Sequence, residues 1–100
     1  MGLNVLKAST GIIFRVHAIQ RMFQRNINEK DVRNILMNGE TIEQYSDDTP
    51  YPSRLILGCI NKRPIHIVAA DNIEDDEIIV ITVYEPDMEK WSDDFKGRIK

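Results

Sequence analysis

The sequence has 100 residues, of which 42% are hydrophobic and 29% are charged, and its formal net charge is −3 at pH 7. This length and composition predict one globular domain, residues 1–100, that buries its own core. The single cysteine excludes an intramolecular disulfide, and no apolar run reaches the length of a signal peptide or a membrane span, so we expect a cytoplasmic protein without membrane contact. The usual metal-binding and nucleotide-binding motifs are absent, so neither a metal nor another cofactor is expected.

The charge is distributed unevenly along the chain. Residues 1–39 carry six lysines and arginines against two acidic residues, whereas residues 40–100 carry seven against fourteen. A basic half on an acidic protein predicts a local anion site, while a general coat for nucleic acid would need more cations. Any contact with RNA is therefore expected to be small.

Residues 17–25 have charged side chains at every fourth position, which predicts an α-helix. His17, Arg21 and Arg25 fall on one stripe of this helix. An imidazole that moves a proton and two guanidiniums that hold oxygens are suited to a phosphodiester. An ordinary solvated helix face is the competing interpretation. The opposite side of the helix gathers the apolar residues Ala18, Ile19, Met22 and Phe23.

A second helix is predicted to begin at Asn28, where Asp31 completes a capping box, and to end at a left-handed Gly39. Before the first helix, residues 12–16 are apolar and β-branched, and they either form a brief strand or lead straight into the helix. The two helices are expected to form a hairpin that covers one face of a sheet.

Beyond residue 40 the hydrophobic period changes, and strands are predicted at residues 41–45, 53–60, 65–70 and 78–84. Tyr51 lies between Pro50 and Pro52, so its ring either stacks on a ligand or simply belongs to a stiff approach to the next strand. Met88, Trp91 and Phe95 recur at helical spacing, which predicts a short C-terminal helix that Trp91 anchors. The fold class is therefore α+β, with two N-terminal helices packed on a four-stranded, mainly antiparallel sheet and a short C-terminal helix.

The chain also resembles a known group of proteins. The resemblance to a family of uncharacterised small bacterial domains rests on His17-Ala18, Arg21-Met22, Arg25, Gly39-Glu40, Asp48, Pro50-Tyr51-Pro52-Ser53, Gly58, Pro64, His66-Ile67-Val68, Thr82-Val83-Tyr84, Pro86 and Trp91. That family is similar in layout to the RelE, barnase and EndoU group of ribonuclease toxins, which cleave RNA without metal through attack by the ribose 2′-hydroxyl. The resemblance covers nearly the whole chain and implies a RelE-like ribonuclease of a toxin–antitoxin-like system, with RNA as substrate and a small antitoxin as partner.

The resemblance also implies roles for individual residues. His17 or His66 would accept the 2′-hydroxyl proton, and the other histidine or Tyr84 would protonate the leaving oxygen. The substrate-binding residues would be Arg21 and Arg25, which neutralise the transition state, Thr82, which orients a phosphate oxygen or an imidazole, and Tyr51 as a candidate stacking ring.

The mechanism makes a geometric prediction. A hairpin centred near Glu74 would place His66 opposite Thr82, with Tyr84 on the same face. The imidazoles of His17 and His66 should then lie within about 10 Å of each other across an open cleft. A buried His66 would instead favour a non-catalytic module that binds an antitoxin or another acidic protein. A structural homodimer that buries the apolar sheet face is the third interpretation.

Overall fold

The computed structural model describes residues 10–99 as two helices packed on one face of a five-stranded mixed sheet. Its elements in chain order are β1 (Gly11–Phe14), α1 (Val16–Arg25), α2 (Glu29–Asn38), β2 (Glu40–Tyr45), β3 (Ser53–Ile60), β4 (Arg63–Asn72) and β5 (Glu77–Tyr84). The strand order is β1-β5-β4-β3-β2, in which β1 is parallel to β5 and the other neighbours are antiparallel. No helix among these residues is long and apolar enough to cross a membrane.

The predicted four-stranded, mainly antiparallel sheet is wrong because β1 adds a fifth, parallel strand. This strand is the apolar run whose structure the sequence left open, and Gly11 pairs with Glu77 at one end and Phe14 with Val80 at the other. Four residues are too few to show a clear alternation, and the pairing partner lies far along the chain. The pattern around β1 therefore contains no local signal for a parallel strand.

The helix boundaries follow from capping. Asn26 ends α1 in the left-handed conformation, with its N–H directed to the carbonyls of Met22 and Phe23. The predicted capping box of α2 is confirmed, because Asn28 Oδ1 accepts from the Asp31 N–H at 2.8 Å and the Asp31 carboxylate accepts from the Asn28 N–H.

Gly39 is not the left-handed stop predicted for α2, since its φ is −76°. A Cβ at Gly39 would lie 2.6 Å from the Ile35 carbonyl oxygen and 2.7 Å from that of Leu57. The chain needs glycine there because α2 turns into β2 in close contact with β3.

The two helices cover one face of the sheet, as predicted. Their buried side chains meet a sheet face made largely of isoleucine and valine, and this core comprises Ala18, Met22, Ile27, Val32, Ile35, Leu36, Ile56, Ile65, Ile67, Ala69, Ile78, Val80 and Val83. Not all of the apolar side of α1 is covered, since the side chains of Ile19 and Phe23 are 52% and 88% exposed. The helix α1 packs mainly on β5, near the edge of the sheet, so only the narrow seam of Ala18 and Met22 is covered.

The predicted C-terminal helix is absent. Residues 86–99, which we term the C-terminal clasp, form a series of turns with a single β-bridge between Trp91 and Arg98. The carboxylates of Asp87 and Asp94 accept hydrogen bonds from nearby backbone N–H groups, which favours turns over a continuous helix. Trp91 is only 4% exposed, which confirms that it anchors this segment on the body of the domain.

Candidate functional site

The sheet face opposite the helices carries His66, Thr82 and Tyr84. Because Ile65 and Ile67 face the helices, His66 between them points to the other side. His66 pairs with Tyr84, so the predicted pairing of His66 with Thr82 is wrong, although Thr82 and Tyr84 share this face as expected.

The register differs from the prediction for two reasons. The turn between β4 and β5 is closed by the pair Asn72 and Glu77, slightly later in the chain than a centre at Glu74 implies. In addition, the pairing shifts by one residue between Val80 and Thr82, which leaves one extra residue on β5. Together these displacements move the residue opposite His66 from Thr82 to Tyr84.

His66 is completely buried and uses both ring nitrogens. Its Nε2 lies 2.8 Å from the Phe95 carbonyl oxygen, and its Nδ1 lies 3.1 Å from the Tyr84 hydroxyl. A carbonyl only accepts, so these contacts assign the proton to Nε2 and make Nδ1 the acceptor for the Tyr84 O–H. Burial lowers the pKa of His66 and raises the pKa of Tyr84, which keeps both groups neutral.

Aromatic rings enclose this imidazole. The rings of His66 and Trp91 are perpendicular, with centroids 4.4 Å apart, and those of His66 and Tyr84 meet edge to face at 5.2 Å. Trp91 and Phe95 both belong to the C-terminal clasp. The clasp therefore covers His66 from the side that the helices leave open.

A second cluster on β2 connects the clasp to the same sheet face. Arg98 donates two hydrogen bonds to the Glu43 carboxylate, at 3.2 and 3.3 Å, and its guanidinium carbon lies 4.6 Å from the centroid of the Trp91 ring. Tyr45 donates its hydroxyl hydrogen to the same carboxylate. The hydrogen bond from Tyr45 is the main cause that lowers the pKa of Glu43, while burial and then Glu43 itself raise the pKa of Tyr45.

Two arginines lie next to the end of β5. Glu85 follows Tyr84 directly, and its carboxylate lies 3.1 Å from Arg63 Nη2 and 3.9 Å from Arg25 Nη1. Arg63 also donates to the backbone carbonyl of Arg25 at 2.8 Å. Contacts among α1, β4 and the end of β5 thus hold the predicted substrate-binding Arg25 next to Glu85, the residue that follows Tyr84.

The other predicted site residues lie elsewhere. His17 is exposed on α1, on the helical side of the sheet, whereas His66 is buried on the opposite side, so the structure does not bring the two imidazoles together across an open cleft. Arg21 is exposed on α1 and donates to Gln24 at 3.4 Å. Tyr51 accepts a hydrogen bond from Asn72 at the far end of β4, six residues or about 20 Å along the strand from His66.

Sequence reasoning missed several residues of this site, namely Glu43, Tyr45, Arg63 and Arg98. Glu43 and Tyr45 stand two apart in a predicted strand, so their shared face was readable, but nothing local indicates that Arg98 pairs with them. Among residues 10–99 no cluster of three His, Cys, Asp or Glu side chains has the geometry to hold a metal ion.

Comparison with known proteins identifies the family. Residues 14–85 match the profile of DUF4258, a domain of unknown function, and this match spans well over half of the chain. No curated protein and no solved structure matches the chain at a significant level. The match includes β2 to β5 and both helices but ends before the C-terminal clasp. The chain therefore belongs to the DUF4258 family of domains of unknown function.

Proposed function

We propose that this chain is a metal-independent ribonuclease that cleaves RNA by 2′-hydroxyl attack and uses the His66–Tyr84 pair as its acid–base machinery. The observation that carries the proposal is the 3.1 Å contact between His66 Nδ1 and the Tyr84 hydroxyl, on a sheet face inside the family domain. The groups that cover His66 come from Trp91 and Phe95, which lie outside the matched residues 14–85. The pair is thus buried by the clasp and not by the core of the domain.

The chemistry requires one base and one acid. When the clasp leaves, His66 Nε2 loses the Phe95 carbonyl and faces the substrate, and the Nδ1–H tautomer donates to Tyr84. Nε2 accepts the 2′-hydroxyl proton while the 2′-oxygen attacks phosphorus and the bond from phosphorus to the 5′-oxygen breaks. Tyr84 gives its proton to that leaving oxygen and takes the Nδ1 proton from His66. His66 ends neutral, with its proton on the other nitrogen, so the proton count is balanced.

Charge on the pentacovalent transition state needs cations nearby. Arg25 and Arg63 are the described cations beside the end of β5, where Glu85 holds them within 3.9 and 3.1 Å of its carboxylate. A phosphate that displaces Glu85 would gain two guanidiniums, which stabilise developing negative charge. Thr82, two residues from Tyr84 on the same face, is available to orient a phosphate oxygen. His17 has no part in this mechanism, because it lies near the start of α1, eight residues or about 12 Å along the helix from Arg25.

A cleavage assay tests the proposal with fluorescent RNA oligonucleotides and DNA of the same sequences. The variant Trp91→Ala removes the anchor of the clasp, so it should cleave RNA faster than the unaltered chain, leave DNA intact, retain activity in EDTA and release 2′,3′-cyclic phosphate ends. Adding Tyr84→Phe should slow cleavage by about 10²–10⁴-fold, because it removes the acid and keeps the ring. His17→Gln separates this mechanism from one with two histidines, since cleavage continues only if His17 is not required.

The proposal fails if RNA stays intact with both the unaltered chain and Trp91→Ala, or if Tyr84→Phe and His66→Gln cleave as fast as their parent. Either outcome would leave the second candidate, a non-catalytic module that binds a partner protein on the same fold. Two observations favour that candidate, namely the complete burial of His66 and the exposed apolar residues of α1.

A further inference from the structure

The carboxylate of Glu43 is held by a two-pronged contact with Arg98. Arg98 Nε lies 3.3 Å from one carboxylate oxygen and Nη2 lies 3.2 Å from the other, so two N–H donors side by side meet two acceptor oxygens. Tyr45 donates its hydroxyl hydrogen to the oxygen that Nη2 contacts. The hydrogen bonds from Tyr45 and Arg98 lower the pKa of Glu43, so the group is ionised at neutral pH. Glu43 is therefore a restrained, charged acceptor for a pair of donors.

This contact lies close to the His66 imidazole. The centroid of the Trp91 ring is 4.4 Å from that of His66 and 4.6 Å from Arg98 Cζ, so at most 9.0 Å, the sum of the two distances, separates the guanidinium carbon from the centre of the imidazole. Trp91 and Arg98 belong to the C-terminal clasp, whereas Glu43 and His66 lie within the matched residues 14–85. Release of the clasp therefore removes the arginine from a carboxylate near the imidazole.

The donor pattern of each RNA base decides which of them fits the place of the guanidinium. Guanine carries N1–H and an N2 amino group side by side on its Watson–Crick edge, which is the same arrangement of two N–H donors that a guanidinium presents. Adenine and cytosine set one donor beside an acceptor nitrogen, and uracil has one N–H between two carbonyls. Each of these three would bring an acceptor against an ionised carboxylate. Proteins read single-stranded RNA through such edges of unstacked bases, and guanine is the base that complements Glu43.

We propose that Glu43 is the specificity-determining residue of the ribonuclease and binds guanine in the position that Arg98 now occupies. The inference rests on the proposed function for its choice of RNA as the ligand. One nucleotide spans the open site, with its base on Glu43 and its 2′-hydroxyl at His66 Nε2. Cleavage should therefore follow guanosine.

The binding of short RNA separates recognition from cleavage. The double variant Trp91→Ala, Tyr84→Phe releases the clasp and removes the acid, so labelled trinucleotides stay intact while fluorescence anisotropy measures their affinity. Among four trinucleotides that differ in the central base, the one with guanine should bind about tenfold or more tightly than the others, because a bidentate base contact is at stake. Adding Glu43→Gln should remove this preference, since an amide offers one oxygen and places an N–H donor where the second oxygen was.

Glu40→Gln is the matched control for the loss of charge. Glu40 also lies on β2, and its carboxylate pairs with Lys96 of the clasp at 3.0 Å, so the change removes the same charge and another contact with the clasp. It should leave the preference for guanine unchanged. A second variant, Arg98→Ala, keeps the test valid if Trp91→Ala does not fold. It frees the carboxylate of Glu43 while Trp91 stays, and guanosine should then shift the NMR signals of Glu43 at lower concentration than adenosine, cytidine or uridine does.

The outcomes distinguish this inference from the proposed function. Guanine-selective binding without cleavage by Trp91→Ala would refute the ribonuclease and leave the base site standing, whereas cleavage without base preference would refute the base site alone. The inference is overturned if the four trinucleotides bind equally or if the preference survives Glu43→Gln. It is also overturned if argininamide binds Arg98→Ala more tightly than guanosine does, because the occupant would then be an arginine of a partner protein.

Discussion

Replacing Trp91 with alanine should release the C-terminal clasp and return His66 to water. Trp91 is 4% exposed, and truncation of a buried tryptophan to alanine costs about 3–5 kcal/mol. We expect the free energy of unfolding to fall by about 3 kcal/mol, because the clasp packs on only one face of the sheet and can detach without opening the core. Most of the typical folding stability of about 5–15 kcal/mol would remain, so the variant should still fold.

Two measurements on this variant follow from the structure. Urea unfolding followed by circular dichroism should give a lower midpoint and a smaller dependence on urea, since a native state with the clasp detached has less surface left to expose. In an NMR titration, the pKa of His66 should rise from its lowered value toward the ordinary value of about 6.5, because its desolvation is relieved.

The matched control is Met88→Ala, which alters a clasp residue that is 74% exposed. It should change the free energy of unfolding by no more than about 0.5 kcal/mol. The reasoning is refuted if Trp91→Ala leaves both the unfolding free energy and the pKa of His66 where they are in the unaltered chain. The clasp would then be held by contacts other than the tryptophan.

Three further predictions concern pH, packing and charge. Because burial lowers the pKa of His66, the unfolded chain binds more protons than the folded chain below about pH 6.5. The free energy of unfolding should therefore fall with decreasing pH, by up to about 1.4 kcal/mol per pH unit. His66→Gln should flatten that slope. Gly58→Ala should cost about 1–3 kcal/mol in urea unfolding, because its Cβ would lie 2.6 Å from side-chain carbons of Ile35, and Ile35→Ala in the same chain should reduce that cost. A double-mutant cycle of Glu43→Gln and Arg98→Met should give a coupling of about 0.5–1 kcal/mol that weakens with salt, since the Arg98 side chain is 60% exposed.

Each of these predictions has an outcome that contradicts it. A slope that persists in His66→Gln would assign the pH dependence to other groups. If Gly58→Ala costs the same with and without Ile35, the close contact between β3 and α2 is not the cause. A coupling between Glu43 and Arg98 well above about 1 kcal/mol would show that the pair is less screened by water than its exposure indicates.

Local patterns were enough to predict much of the fold. The capping box at Asn28 and the apolar, β-branched runs of β3 to β5 depend on residues close in sequence, and both were readable. The helical period also placed α1 correctly, but it did not show how much of the helix the sheet would cover. The exposure of Phe23 depends on the position of α1 near the sheet edge, which is a property of the tertiary structure.

The candidate site was harder to predict because it depends on long-range register and contacts. The pairing of His66 with Tyr84 requires the one-residue register shift in β5. The hydrophobic pattern alone does not reveal a bulge inside a strand that is apolar on both faces. The contact between Arg98 and Glu43 joins residues 55 positions apart. The helical spacing of Trp91 and Phe95 was misleading, since both residues contact His66 from turns.

The parallel pairing of β1 with β5 has a consequence for the order in which the chain folds. Gly11 pairs with Glu77, 66 residues later in the chain, so β1 is synthesised before the other described strands and is among the last of them to find its neighbour. Closing such a long loop costs entropy before the contact is gained, which slows folding relative to a hairpin. The antiparallel ladder from β2 to β5 consists of neighbours in sequence and can assemble first. During synthesis β5 therefore exposes an unpaired edge until β1 closes it, and this interval is when the nascent chain is most open to pairing with another strand.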